Sequence, residues 1–264
     1  MVSTGNERRV GLARALSKLG YCSRSQATEL IHSGHVRLNG KTRRDPETPV
    51  RVERDRIEVD HRIVGARAKV YQMLNKPRGV VTTASDEKGR ETVYSCLGEG
   101  LPWVAPVGRL DKASEGLLLL TNDSEWAARI SDPETHLDKI YHVQVGAMVD
   151  ETLLTTMTKG VRAGNDEVLR AKYARVLRSG QKNTWLEIAL DEGKNRQIRR
   201  MLELSGIEVL RLVRVAVGPL ILGTLAKGAS RALSFEEKRA IDREMRAPRT
   251  RPVLDGPRGE PRFP

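Results

Sequence analysis

Four consecutive leucines, Leu117 to Leu120, follow directly on the loop Gly108-Arg109-Leu110-Asp111-Lys112-Ala113-Ser114-Glu115-Gly116, and no other stretch restricts the fold so tightly. The leucine run reads as a buried strand. The loop before it is bounded by glycines and sets an Arg and an Asp two residues apart. A carboxylate kept beside a buried strand, with a cation next to it, has the setting of a reactive group. A buried strand needs a core around it, and 264 residues suffice for one large domain or two smaller ones.

The chain ahead of that loop reads as a small separate module. Leu12, Ala15, Leu16 and Leu19 recur at helical spacing, and Gly20 stops the helix. Ser23-Arg24-Ser25-Gln26 has the form of a capping box, which opens a second helix with Ala27, Leu30 and Ile31 on its apolar face and Gly34 at its end. His35-Val36-Arg37-Leu38-Asn39-Gly40-Lys41 reads as a strand entering an Asn-Gly hairpin turn, and Arg56–Asp60 alternates as a further strand. From Arg8 to Val64 thirteen Lys and Arg stand against seven Asp and Glu, half of the chain's net charge of +12. A basic excess of this size points to a polyanionic partner, because each cation near a phosphate releases condensed counterions. The bland alternative is a solvated basic surface.

A second unit begins near Val70. Val70–Leu74 reads as a strand running into Asn75-Lys76-Pro77-Arg78-Gly79, where Pro77 and Gly79 break regular structure. Tyr141, Val143 and Val145 alternate with His142 and Gln144, and Leu186, Ile188 and Leu190 alternate likewise. Asn195 to Leu204 reads as a helix with Ile198, Met201 and Leu202 inward, closed by Gly206. Val209, Leu210, Leu212, Val213 and Val215 read as a buried strand. Strands and helices do not alternate as in a doubly wound fold, so the class is α+β with a mixed, mostly antiparallel sheet. The expected boundaries are 8–66 for the N-terminal module, 68–246 for the second domain, and 247–264 for a disordered tail with five prolines among arginines.

Several function classes are set aside. The two cysteines, Cys22 and Cys96, have no CxxC partner, which fits a reducing cytoplasm without a disulfide framework. No apolar run approaches the roughly 18 residues of a membrane span, and the first residues hold no signal-peptide core. The five histidines (His32, His35, His61, His136, His142) lack metal-ligand spacing, so no metal is expected. No nucleotide-binding glycine motif follows a strand, and Ser114 has no hydrolase elbow around it.

Four separated motifs, in order, carry a resemblance: Leu74–Gly79, Val107–Leu120, Lys139-Ile140-Tyr141, and Glu192-Gly193-Lys194-Asn195-Arg196-Gln197-Ile198-Arg199-Arg200-Met201. Together they resemble the catalytic domain of the RsuA/RluB/RluE/RluF family of bacterial ribosomal RNA pseudouridine synthases. The helix–helix–hairpin module before them resembles the S4-like RNA-binding domain. The resemblance covers roughly residues 10–241. It implies that Asp111, ordinarily a turn former in such a loop, is the catalytic carboxylate, acting as nucleophile or as base on the sugar. It implies that Arg109 fills the stack left by an extruded base, and that the ring of Tyr141, otherwise an ordinary core residue, packs on the flipped uracil. It implies an ion pair from Arg199 to Asp111. Lys194, Arg196 and Arg200 meet phosphates or nothing, and Lys139 is either a phosphate contact or a packing residue. Arg14, Arg24 and Lys41 are the RNA-facing cations of the module. The implied isomerisation needs no redox cofactor, metal or nucleotide. The implied partner is ribosomal RNA or a ribosomal subunit precursor, 23S rather than 16S, met by a monomer. Two other readings stay open: a non-enzymatic S4-domain RNA-binding or ribosome-assembly factor, and a helix-turn-helix DNA binder, which the Asn39-Gly40 hairpin fits poorly.

Overall fold

The computed structural model describes residues 9–84, 86, 88–135, 137–164 and 167–246. The Pro/Arg-rich tail and His136 lie outside the described residues. The chain divides into two units, and the first takes in Gly98–Ala105 and Leu120–Trp126 besides the run that ends at Tyr71.

In the first unit the local signals act as the sequence suggests. Gln26 N–H donates to Ser23 Oγ at 3.1 Å and Ser23 N–H donates to Gln26 Oε1 at 3.0 Å, so the capping box opens the helix Arg24–His32. Leu12, Ala15 and Leu16 of the helix Leu12–Lys18 pack with Ala27 and Ile31 onto Val36, Leu38, Ile57 and Val59. These last four belong to a four-stranded sheet ordered Lys41–Thr42, Val36–Leu38, Ile57–Val59, Arg62–Ile63. Leu38 pairs with Lys41 across a two-residue turn in which Asn39 (φ 52°) and Gly40 (φ 78°) are both left-handed, as such hairpins require. The next hairpin makes the same turn with Asp60 and His61, neither of them glycine. One expectation fails: Ile57–Val59 does not alternate, because Glu58 is also buried, paired to Arg56 Nε at 2.7 Å.

The second unit carries most of a nine-stranded sheet, of which Tyr71, Leu120 and Thr121 are counted in the first. Its main path runs Tyr173–Ser179, Thr184–Leu190, Lys139–Val145, Val209–Val217, Glu115–Thr121, Tyr71–Lys76, Ser230–Ala232. Of its pairs with defined register, Val213–Arg214 with Glu115–Gly116 is parallel and the others are antiparallel. All seven residues of Glu115–Thr121 are buried, as the leucine run demands. The helices Glu151–Lys159 and Gln197–Leu204 cover one face, placing Leu154, Met157, Ile198, Met201 and Leu202 on Val143, Val145, Leu186, Ile188 and Leu212.

Three details differ from the sequence reading. The helix begins at Gln197 rather than Asn195, because Arg196 takes a left-handed conformation (φ 48°). In Val209–Val217, Leu210 is exposed while Arg214 is buried, its Nε donating to Leu117 O at 2.7 Å. His142, expected on a polar face, is buried 3.3 Å from the Glu187 carboxylate.

Candidate active site

The loop that carries Asp111 is held by backbone contacts on both sides. Ser114 N–H donates to Asp111 O at 2.9 Å, closing a tight turn over 111–114. Lys76 ends the strand Tyr71–Lys76 with its side chain fully buried. Its Nζ donates to Pro77 O (3.0 Å), Asp111 O (3.2 Å) and Ser114 O (2.9 Å), clamping both ends of the turn. Gly79 N–H donates to Lys112 O at 2.8 Å and Thr82 Oγ1 to Leu110 O at 2.7 Å. Burial pushes the Lys76 amine down to about 8, against the opposing pull of Cys96, Glu115 and Asp111. Beyond the turn, Gly116 (φ 101°) lies flat against the Val209–Val217 strand, where a Cβ would run into the Arg214 backbone.

A cavity of about 390 Å³ opens over this loop. Its lining brings together Asp111, Tyr141, Arg199, Arg109, Lys139, Lys194 and Arg196, from the loop, the Lys139–Val145 strand and the basic helix with its approach. Asp111 and Tyr141 are half-buried, and Arg109 is exposed. Burial, with the charge of Arg214 beside it, lowers the Lys139 amine from its ordinary value. The lining also holds Arg214 and the Glu192 carboxylate, so the pocket sets two carboxylates and a ring among six cations.

The expected ion pair from Arg199 to Asp111 is not formed. Arg199 Nη2 donates to Ala113 O at 3.0 Å and Nη1 to Val209 O at 3.4 Å, so its guanidinium braces the loop backbone. Burial lowers its pKa first, and Arg196 adds to that, while Asp111 pulls the other way. The cation beside the carboxylate is Arg196, whose Nη1 stands 4.0 Å from Asp111 Oδ2. The left-handed start of the helix turns Arg196 that way, a detail that helical periodicity does not encode. Arg200 lies outside the lining and pairs with Glu167. Lys194 reaches Val168 O at 3.0 Å and the Glu192 carboxylate at 3.2 Å. Arg14, Arg24 and Lys41 are exposed on the first unit.

Sequence reasoning passed over Lys76, Ser114 and Gly116. Lys76 had a signal, since it falls in step with Leu74 of the strand that runs into it.

Residues 70–204 match the family model of RNA pseudouridylate synthase, and residues 10–57 match that of the S4 domain. An uncharacterized RNA pseudouridine synthase of Aquifex aeolicus is 38% identical over 229 residues, covering 86% of this chain and 92% of the relative. Ribosomal large subunit pseudouridine synthase B of Bacillus subtilis is 36% identical over 232 residues, covering 87% and 94%. Among solved structures, a crystal structure of pseudouridylate synthase matches with a TM-score of 0.61 at 29% identity, over 88% of this chain and 99% of that one.

Proposed function

This chain belongs to the RNA pseudouridylate synthase family, of the RsuA/RluB type with an N-terminal S4 domain, and on that premise we propose that it isomerises one uridine of 23S ribosomal RNA, with Asp111 as the reacting carboxylate. The choice of 23S over 16S leans on the Bacillus subtilis relative, named for the large subunit. The observation that carries the site is the pocket itself, in which Asp111 shares one cavity with Tyr141 and six cations.

The chemistry conserves atoms. The N1–C1′ bond of uridine breaks, the uracil turns, and a C5–C1′ bond forms; the proton lost from C5 is matched by one gained at N1. Asp111 serves the sugar as nucleophile or as base. A stacked uridine reaches it only by leaving the stack, which costs a few kcal/mol. The exposed Arg109 stands at the loop, free to fill the gap with a planar cation. The Tyr141 ring packs on the everted uracil, and Lys139, Lys194 and Arg196 meet the phosphates around it. Arg199 acts through the loop backbone at Ala113. The enzyme works as a cytoplasmic monomer on ribosomal RNA or a subunit precursor; no helix among the described residues is long and apolar enough to cross a membrane.

Site-resolved pseudouridine mapping tests this in cells whose sole copy carries Asp111→Asn. One 23S position is expected to lose its pseudouridine completely. Persistence of every modification removes Asp111 as the catalyst, and a loss in 16S instead removes the choice of subunit.

A further inference from the structure

Among the described residues, three buried side-chain polar atoms find no hydrogen-bond partner: Arg43 Nε, Ser114 Oγ and Arg199 Nε. Two of the three residues line the Asp111 pocket. Ser114 is 1% exposed, and its backbone is already engaged, the N–H with Asp111 O and the carbonyl with Lys76 Nζ. Its hydroxyl therefore does nothing for the resting fold, and a buried hydroxyl without a partner is destabilising. The Asp111 carboxylate is in the complementary condition. It accepts no hydrogen bond from a described residue, and Arg196 stands 4.0 Å off. A donor without an acceptor and an acceptor without a donor thus occupy the last and first positions of a single turn.

We propose that Ser114 is a positioning residue, whose Oγ–H donates to the Asp111 carboxylate once RNA fills the pocket. This rests on the pseudouridine synthase reading of the site. In the free protein the carboxylate is 35% exposed and solvent hydrates it. An entering nucleotide displaces that solvent, and an ionised carboxylate in a closed pocket needs a fixed donor to hold its charge and its aim. Lys76 clamps the backbone of the turn, so the adjustment falls to the two side chains. A hydroxyl neither competes for the carboxylate's charge nor blocks its reaction, as a guanidinium lodged against it would.

The test compares Ser114→Ala and Ser114→Thr with wild type on a ribosomal RNA fragment carrying the mapped uridine. It measures equilibrium affinity, single-turnover pseudouridine formation at saturating RNA, and thermal melting. Ser114→Ala is expected to slow the single-turnover step about tenfold or more, as for loss of a hydrogen bond to a charged group. Its RNA affinity should match wild type, and its melting temperature should equal or exceed wild type, since an unpaired hydroxyl has gone. Ser114→Thr keeps the donor and should restore the rate. An alanine variant that reacts as fast as wild type overturns the proposal. So does one that melts lower, because the hydroxyl is then structural, and so does a loss confined to affinity. If wild type forms no pseudouridine in any ribosomal RNA, the parent reading has failed; a normal wild type with a silent alanine variant defeats only the role of Ser114.

Discussion

Lys76 brings a positive charge into the interior and answers it with three backbone carbonyls in place of a carboxylate. That choice fixes the Asp111–Ser114 turn without putting a second cation against the reacting oxygens. It also carries a pH signature. Burial holds the folded-state amine at about 8, below the ordinary lysine value of 10.5. Between those values the unfolded chain keeps a proton that the folded chain has released, so raising the pH across this window favours the folded state. Below about pH 8 both states are protonated, and the folded state bears the full cost of the buried ammonium. Urea unfolding at pH 7.5 and pH 10 should therefore show wild type gaining about 2 kcal/mol relative to Lys76→Met. The same variant leaves the carbonyls of Asp111 and Ser114 without their clamp. A displacement near 1 Å of a catalytic group costs about a hundredfold in rate, and single-turnover pseudouridine formation by Lys76→Met should fall by that order.

Where strands meet, glycine marks the closest approach. Gly116 sits at φ 101° with the Arg214 backbone where a Cβ would go, whereas Gly40 sits at φ 78° with nothing within 4 Å. Both positions penalise an L side chain conformationally, but only the first adds a collision that two paired strands must absorb. Gly40→Ala should cost about 1 kcal/mol and Gly116→Ala about 3 kcal/mol or more, a contrast that urea unfolding of the two variants measures directly. The elements themselves were legible where a local rule decides them. Ser23 and Gln26 cap a helix whatever lies around them, Asn39-Gly40 permits a two-residue hairpin, and four leucines need burial. The four motifs that mark the family were equally legible. What local pattern could not reach was partnership across the sheet. His142 looks outward by alternation and Arg214 interrupts an apolar run, and both are buried because a carboxylate of Glu187 and a carbonyl of Leu117 await them on neighbouring strands. The exchange of Arg199 for Arg196 beside Asp111 has the same origin, since it depends on one left-handed residue at a helix start. Lys76 and Ser114 went unread because the work of Lys76 is done on backbone atoms and the hydroxyl of Ser114 has no partner in the resting fold.

At the scale of the whole molecule the cations divide into two populations that RNA should feel differently. Arg14, Arg24 and Lys41 are exposed on a first unit whose residues 8–64 carry net +6, half of the total. Lys139, Arg196 and Arg199 line a pocket, and two of them have pKa values lowered by burial. Exposed cations that neutralise phosphates contribute through counterion release, which is indifferent to sequence and steep in salt. Replacing Arg14, Arg24 and Lys41 together with alanine should lower affinity equally for the target fragment and for a scrambled RNA. It should also flatten the log–log dependence of affinity on salt by about 2. Arg109→Ala should show the opposite balance. In the proposed function its cation fills the stack as the uridine leaves, so its loss should fall mainly on the single-turnover rate, about tenfold, with the salt slope reduced by less than one. Affinity titrations at four or five salt concentrations, run beside single-turnover assays on the same RNA, separate the two. If the triple variant instead loses rate at saturating RNA and keeps its salt slope, the first unit is acting in the chemical step, and its assignment as the phosphate-reading platform is wrong.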